Sequence, residues 1–413
     1  MMRILFVTPS LPSLPRGGAS RRMQGLISGL AGEHVVSVLA FVPPGEDQTA
    51  AIAAARDYCD EVVTVENDRY GLSHRHKRAL QFQSLAFPRS FEHLVYDRPA
   101  LRAALDWMLA RTRYDIVNVE FCWMAYPSFS TTARLVLDEH NIEYDILRRT
   151  SRGETQPARK LYNAVNFRKL RREERAIWRK FDVCCLTSER DERIVRRDRP
   201  STRTAVVPNG ADTGYFRPRA APPEPMTIAF FGQISYYPNT DGLLFFLREV
   251  MPRLKQTHPR VKLLIIGLSP PDVISAYEGE DVIITGVVDD IRPYLERASV
   301  IIAPLRIGGG TRVKILEAMA MGKPVVSTRI GAEGIDVTDG RDILLADTAE
   351  DFAARVAQVL DEPALARRLG GAARELIEQR YDWQASVQRL ARLYQELLST
   401  GASPGRAVVR NTG

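Results

Sequence analysis

Residues 303–328 read APLRIGGGTRVKILEAMAMGKPVVST, and their pattern decides the architecture. The stretch opens at the end of an apolar run, Val300–Ala303, and passes three consecutive glycines, Gly308, Gly309 and Gly310. Thr311 follows, a residue type able to cap a helix. Arg312 and Lys314 fall in the first turn, and Glu317 lies one turn past Lys314. Gly322-Lys323-Pro324 then leads into a second apolar run at 325–326. Strand, glycine loop, helix over 312–321 and strand are the predicted elements. Glycines let backbone N–H groups approach an anion, and a helix N-terminus favours negative charge. The two cations reinforce that field, so a phosphorylated ligand is expected. A Walker loop is a poor match, because GGGTRVK lacks the G-K-[ST] ending. The plain alternative for Lys314 and Glu317 is a surface ion pair, but three adjacent glycines need a local reason.

The same rhythm extends outward on both sides. C-terminal to residue 209, strands are predicted at 227–231, 262–266, 282–285, 300–303, 325–327 and 342–346, the first three ending at Gly232, Gly267 and Gly286. Asn239-Thr240-Asp241 can cap a helix running to 255, and helices at 349–360, 362–378 and 383–398 close the chain. In the first half, strands are predicted at 3–8, 35–41, 61–65, 115–119, 134–138, 183–187 and 204–207. Helices are expected at 20–31, 50–58, 99–110 with Trp107 inward, 158–181 and 189–195. Gly17 and Gly18 sit in the first βα connection, where open α/β sheets bind ligands, although the third glycine of the dinucleotide fingerprint is missing. Residues 67–91 show weak periodicity, and His74 and His76 read as surface residues. The fold class is α/β, with two Rossmann-like domains whose ligand-binding edges would face a shared cleft. Pro208-Asn209-Gly210 and the proline-rich run 218–225 mark the break between them. The expected division is 1–208 for a first domain, 209–380 for a second, 381–399 for a separate closing helix, and 400–413 for a disordered tail.

Charge is uneven along the chain. Residues 148–180 hold twelve Arg or Lys against three Glu, and subtracting that +9 from the chain's +7 leaves −2 for the rest. The basicity thus belongs to one predicted helix, 158–181, with Leu161, Val165, Leu170, Ile177, Trp178 and Phe181 as a partial apolar stripe. An anionic membrane surface, a phosphorylated acceptor or a solvated helix face fits it. Nucleic acid fits less well, since no reading module or zinc pattern accompanies it. Cys59, Cys122, Cys184 and Cys185 have no metal-ligand spacing and read as reduced thiols of a cytoplasmic protein. No essential metal is expected. The opening residues read as a strand, not a signal peptide, and no apolar run is long enough to span a bilayer. His140, in the polar run DEHNIEYD after a predicted strand, can orient a substrate hydroxyl or cap a helix near Glu143.

Together these motifs resemble the bacterial family 4 glycosyltransferases of GT-B architecture, over about residues 3–398. Gly17-Gly18 with Arg21 resembles the family's acceptor-side loop, and His140 matches the histidine placed near the donor sugar. KILEAMAMGKPVVST is the most specific match, and it gives Glu317 the role of the glutamate at the nucleotide ribose. The resemblance implies retaining transfer of a hexose-type residue from a nucleotide sugar, most simply a UDP- or GDP-sugar, to a glycan, lipid-linked or small-molecule acceptor in polysaccharide or glycoconjugate biosynthesis. It implies front-side attack, with the leaving phosphate assisting deprotonation of the acceptor, and a C-terminal helix packed back on the first domain. The site residues it implies are His140, Arg306, Lys314 and Glu317 for catalysis, and Gly232, Gly308, Gly309, Gly310, Thr311, Arg312 and Glu317 for the donor. Two departures stand out. The first glutamate of the family's pair is replaced by Gly309, and the Arg and Lys that usually follow the donor domain's first strand are absent from GQISYYPN. Arg306, Arg312 and Lys314 are the candidates to supply that charge. The alternatives are a non-catalytic nucleotide- or sugar-binding partner in a polysaccharide assembly and an epimerase of similar layout.

Overall fold

The computed structural model describes residues 1–12, 17–154, 156–218, 222–268 and 270–400. The tail expected at 400–413, apart from Thr400, lies outside the described residues, as do 13–16 of the first loop and 219–221 of the proline-rich run. Two compact units emerge. The first holds seven strands and the chain from Val387 onward; the second runs Pro208–Ser386 and also takes Gly17 and Gly18.

In the first unit the strands are β1 (Arg3–Thr8), β2 (Val35–Val42), β3 (Glu61–Glu66), β4 (Ile116–Glu120), β5 (Arg134–Glu139), β6 (Val183–Leu186) and β7 (Thr204–Val206). They form one parallel sheet in the order β3-β2-β1-β4-β5-β6-β7. Runs such as ILFV and VLAFV are apolar throughout because helices cover both faces of such a sheet. The order reverses direction between β1 and β4, so a crevice opens beyond the carboxyl ends of those two strands. The C-terminal helix Trp383–Ser399 reaches this unit: Leu390, Tyr394 and Leu397 are buried, and the Tyr394 hydroxyl donates to Asn118 Oδ1 at 2.8 Å.

The second unit builds a six-stranded parallel sheet from β8 (Thr227–Phe231), β9 (Lys262–Ile266), β10 (Val282–Gly286), β11 (Val300–Ala303), β12 (Val325–Ser327) and β13 (Leu344–Leu345). Its order is β10-β9-β8-β11-β12-β13, so the reversal lies between β8 and β11. Gly232 follows the first of these strands and the glycine triplet follows the second.

Several local expectations are corrected. The helix after the triplet spans Val313–Ala320 and its N-cap is Arg312, so Thr311 does not cap it; the Thr311 hydroxyl points to the Gly334 carbonyl at 3.5 Å. Asn239 and Thr240 lie inside a helix that starts at Tyr237, and their side chains bond the Gln233 and Ile234 carbonyls instead of capping. Trp107 is half exposed, not inward, with the Arg111 guanidinium stacked 4.1 Å from its ring. Leu161 leaves the apolar stripe of the basic helix, Pro157–Ile177, and faces solvent. Residues 67–91 contain an unforeseen helix, His74–Ala86, capped by Ser73. No helix of the described residues is long and apolar enough to cross a membrane.

Candidate active site

In the second unit, Lys314 is the centre of the sheet reversal. Its Nζ donates to Asn239 Oδ1 at 2.8 Å and stands 4.0 Å from the centroid of the Phe230 ring. Asn239 is itself oriented by a bond from Nδ2 to the Gln233 carbonyl at 2.7 Å. Gly232 makes room for the amine: its φ is +135°, and a Cβ there would lie 3.1 Å from Nζ. Among the described residues no carboxylate pairs with Lys314. Burial, aided by the nearby Arg312 charge, pulls its pKa well below the usual lysine value.

The triplet has a different architecture from a simple cradle of N–H groups. Arg312 folds back so that Nη1 donates to the carbonyls of Gly309 and of Gly310, the latter at 2.7 Å. Gly308, at φ +140°, lets this happen, because a Cβ would come within 2.3 Å of Arg312 Nη2. Glu317 is buried on the same short helix. Arg306 turns away to Asp241, with bonds of 3.0 and 2.7 Å, and lies over the Phe245 ring. Asn209 donates to the Thr311 carbonyl at 3.3 Å, tying the interdomain segment to the glycine loop.

In the first unit, the ends of β4 and β5 carry a buried polar network. Arg22, fully buried, makes two bonds to Asp138, at 2.9 and 2.7 Å, and a third to the Val207 carbonyl. His140 Nε2 lies 2.6 Å from Glu120 Oε2, and Asn118 Nδ2 donates to Glu120 Oε1 at 2.8 Å. The line thus runs Tyr394, Asn118, Glu120, His140. Phe121 stacks on the imidazole with centroids 3.8 Å apart, and its φ of +69° is unusual for a bulky residue. Burial disfavours charge on both partners of the pair: Glu120 is pushed up to about 8, and His140 is pulled down to about 3. The neutral pair, a carboxylic acid donating to a neutral imidazole, follows from those directions. Glu120, Asp138 and His140 bring ligand-type atoms within 4.8 Å of one another, and Arg22 supplies the positive charge there.

Comparison with known sequences and structures agrees with this layout. A family described as Glycosyl transferase 4-like domain matches residues 17–210, and one described as Glycosyl transferases group 1 matches 225–362, so the two together span most of the chain. The chain belongs to the family 4 glycosyltransferases. Glycogen synthase of Mycobacterium tuberculosis is 26% identical, over 95% of this chain and 94% of that protein. Sucrose-phosphate synthase of Thermosynechococcus elongatus superposes with a TM-score of 0.71 at 19% identity, covering 97% of this chain and all of that one (100%). Anabaena HepE in complex with UDP-glucose gives 0.67 at 17%, covering 96% and 100%. These structures share the GT-B fold, and each unit here is one of its Rossmann-like domains.

Within this glycosyltransferase the anticipated residues divide into groups. Lys314 and Gly232 converge, joined by Asn239, which the sequence offered as a helix-capping residue. Gly308, Gly309, Gly310 and Arg312 form one bonded loop, with Thr311 next to it. Arg306 belongs to a separate ion pair. His140 does not cap the following helix: the first-turn amides of Glu143 and Tyr144 are held by Glu174, both at 3.0 Å. Arg21 is half-buried on the helix Gly18–Ala31, and its neighbour Arg22 is the one that enters the core. Arg22, Asp138, Glu120, Asn118 and Tyr394 were not singled out as site residues. Glu120 and Asp138 were visible as acids at strand ends, but nothing local joins them to an arginine 116 positions away from Asp138.

Proposed function

We propose that this glycosyltransferase takes a nucleotide sugar, a UDP- or GDP-sugar, and transfers its hexose with retention to a glycan or lipid-linked acceptor in polysaccharide or glycoconjugate biosynthesis. One observation carries the reading. Lys314 holds an amine without a carboxylate partner at the sheet reversal, packed against Gly232 and bonded only to Asn239. An amine that takes up a proton against a diphosphate at that point stabilises the charge as it departs. The complex of HepE with UDP-glucose supports the same donor class. Arg312, anchored on the loop carbonyls, presents a second positive charge, and Glu317 is the acceptor for the ribose hydroxyls.

In the reaction, the bond between the anomeric carbon and the phosphate oxygen breaks while the acceptor oxygen bonds to that carbon on the same face. The acceptor proton passes to the departing phosphate oxygen. Neutral His140, held by Glu120 and Phe121, offers a hydrogen bond to a sugar hydroxyl and does not act as a charged acid. No added cofactor or metal enters the step as written.

The test is a panel of UDP-, GDP-, ADP- and TDP-sugars with envelope-glycan acceptors, read by mass and by nucleotide release. Product with a retained α or β configuration from one of them is the expected result. Failure to bind or turn over any of them would sink the donor assignment, and an inverted product would sink the mechanism.

A further inference from the structure

The outer helices of the first unit combine two features that rarely coexist on a free surface. An open groove of about 590 Å³ runs along the basic helix Pro157–Ile177 and is lined by Arg168, Arg171, Arg172, Arg175, Arg179 and Arg199. Asp198 takes Arg171 at 3.0 Å, and its backbone carbonyl takes Arg175 at 2.8 Å. Among the described residues, Arg168, Arg172, Arg179 and Arg199 have no carboxylate partner. Arg199 is destabilised as a cation by burial and then by Arg179 and Arg175. Six guanidinium groups held together against one acid are poised for an external anion.

The same basic helix and the helix His74–Ala86, which bonds to it, expose bulky apolar side chains. Phe82 is 72% exposed, Phe87 53% and Leu161 68%. Leu161, Arg168, Arg172 and Arg175 recur at helical spacing, so apolar and cationic groups share one face. The helix His74–Ala86 repeats the arrangement, with Arg75, Arg78, Phe82 and Leu85 outward. The two helices are pinned together: Lys169 Nζ donates to the Phe87 carbonyl at 2.6 Å, and Arg172 Nη2 to the Pro88 carbonyl at 2.5 Å.

We infer that this face docks the enzyme on an anionic phospholipid bilayer, the arginine groove receiving lipid phosphates while Phe82, Phe87 and Leu161 enter the interface. Charge complementarity selects an anionic partner, and the exposed apolar side chains select lipid over nucleic acid, against which they would stay wet. The assignment goes beyond the donor chemistry above and does not depend on it.

Vesicle flotation of the full chain tests it, with phosphatidylcholine alone and with an equal mixture of phosphatidylcholine and phosphatidylglycerol. Binding to the mixture only, released between about 0.1 M and about 0.5 M salt, is expected. Replacing Arg179 and Arg199 together by Gln should cut the partition roughly 30-fold, at about one kcal/mol per cation converted to affinity. A second variant, Phe82→Ser with Leu161→Ser, keeps every charge and should cut it roughly tenfold. Both pairs are solvent-facing or groove-lining, and an unchanged thermal melt reports an intact fold. Equal recovery on neutral and anionic vesicles overturns the inference. So does wild-type partition in either variant, or saturable binding of inorganic pyrophosphate or DNA at the groove with no vesicle binding.

Discussion

Replacing Lys314 by Met probes the donor site where its energetics are most distinctive. The amine has one hydrogen-bond partner, Asn239 Oδ1 at 2.8 Å, and an aromatic face, Phe230, at 4.0 Å. Burial lowers its pKa well below 10.5. Between that folded value and the unfolded one, the unfolded chain binds a proton that the folded chain does not. Stability therefore rises with pH through this window, because this residue's destabilising effect fades as the unfolded lysine also loses its proton. A diphosphate reverses the preference, since it favours the ammonium form. Donor binding then takes up a proton, and apparent affinity falls as pH rises through the same window.

Methionine keeps the volume and the contact with Phe230 and removes the charge. Charge-assisted hydrogen bonds to a phosphate contribute about 1.5–3 kcal/mol, so UDP binding should weaken roughly 10- to 150-fold. The fold should lose little. One neutral hydrogen bond of about 1 kcal/mol disappears, offset by the desolvation no longer imposed on the amine. Titration calorimetry with UDP, in two buffers of different ionisation enthalpy, measures affinity and proton uptake together, and a thermal melt reports the fold. If the variant binds UDP as tightly as the wild type, or if the wild type binds without taking up a proton, the reasoning about Lys314 is wrong.

Glu120→Gln removes a titrating group but keeps a donor for His140. Glu120 is raised from 4.5 to about 8, so folded stability falls as pH rises through that interval; above 6.5, where His140 is neutral in both states, the fall to pH 8 is worth about 2 kcal/mol. Wild-type melting should slope downward between those values more steeply than the variant, in which Glu139, also pushed up to about 8, still titrates; parallel slopes would rule out Glu120 as the source. Arg22→Met strands a buried carboxylate on Asp138 and should cost about 3–5 kcal/mol in chemical denaturation. Adding Asp138→Asn should recover much of that loss, and a double variant as unstable as the single one would show that packing, not charge, is at fault. Gly308→Ala places a methyl where Arg312 Nη2 now lies, at a φ unfavourable for alanine. About 1–3 kcal/mol of stability and a measurable share of UDP affinity should go, as read by melting and calorimetry; unaltered UDP binding would show that Arg312 need not be held there.

The fold was open to reading because a buried parallel sheet writes itself as short apolar runs at regular intervals, and almost every run from Arg3–Thr8 to Val325–Ser327 became a strand. The glycine loop was open to reading for a related reason: Gly308 and Gly310 adopt positive φ, which composition announces locally. What the residues touch was not. Arg312 is an anion donor by type and place, yet its guanidinium lies on the carbonyls of its own loop, because the backbone between Gly308 and Gly310 turns those oxygens toward it. Lys314 and Asn239 meet because β8 and β11 are neighbours in the sheet although the end of β8 and the start of β11 lie 69 positions apart, a juxtaposition that strand order creates and local pattern does not contain. The same holds for Arg22 with Asp138 and for Tyr394 with Asn118, separated by 116 and 276 positions. Polar partners at strand ends are therefore the part of such a site that only the fold reveals. Gly309, which looks like a lost side chain in the sequence, takes part in this loop through its backbone, its carbonyl accepting from Arg312 beside the carbonyl of Gly310.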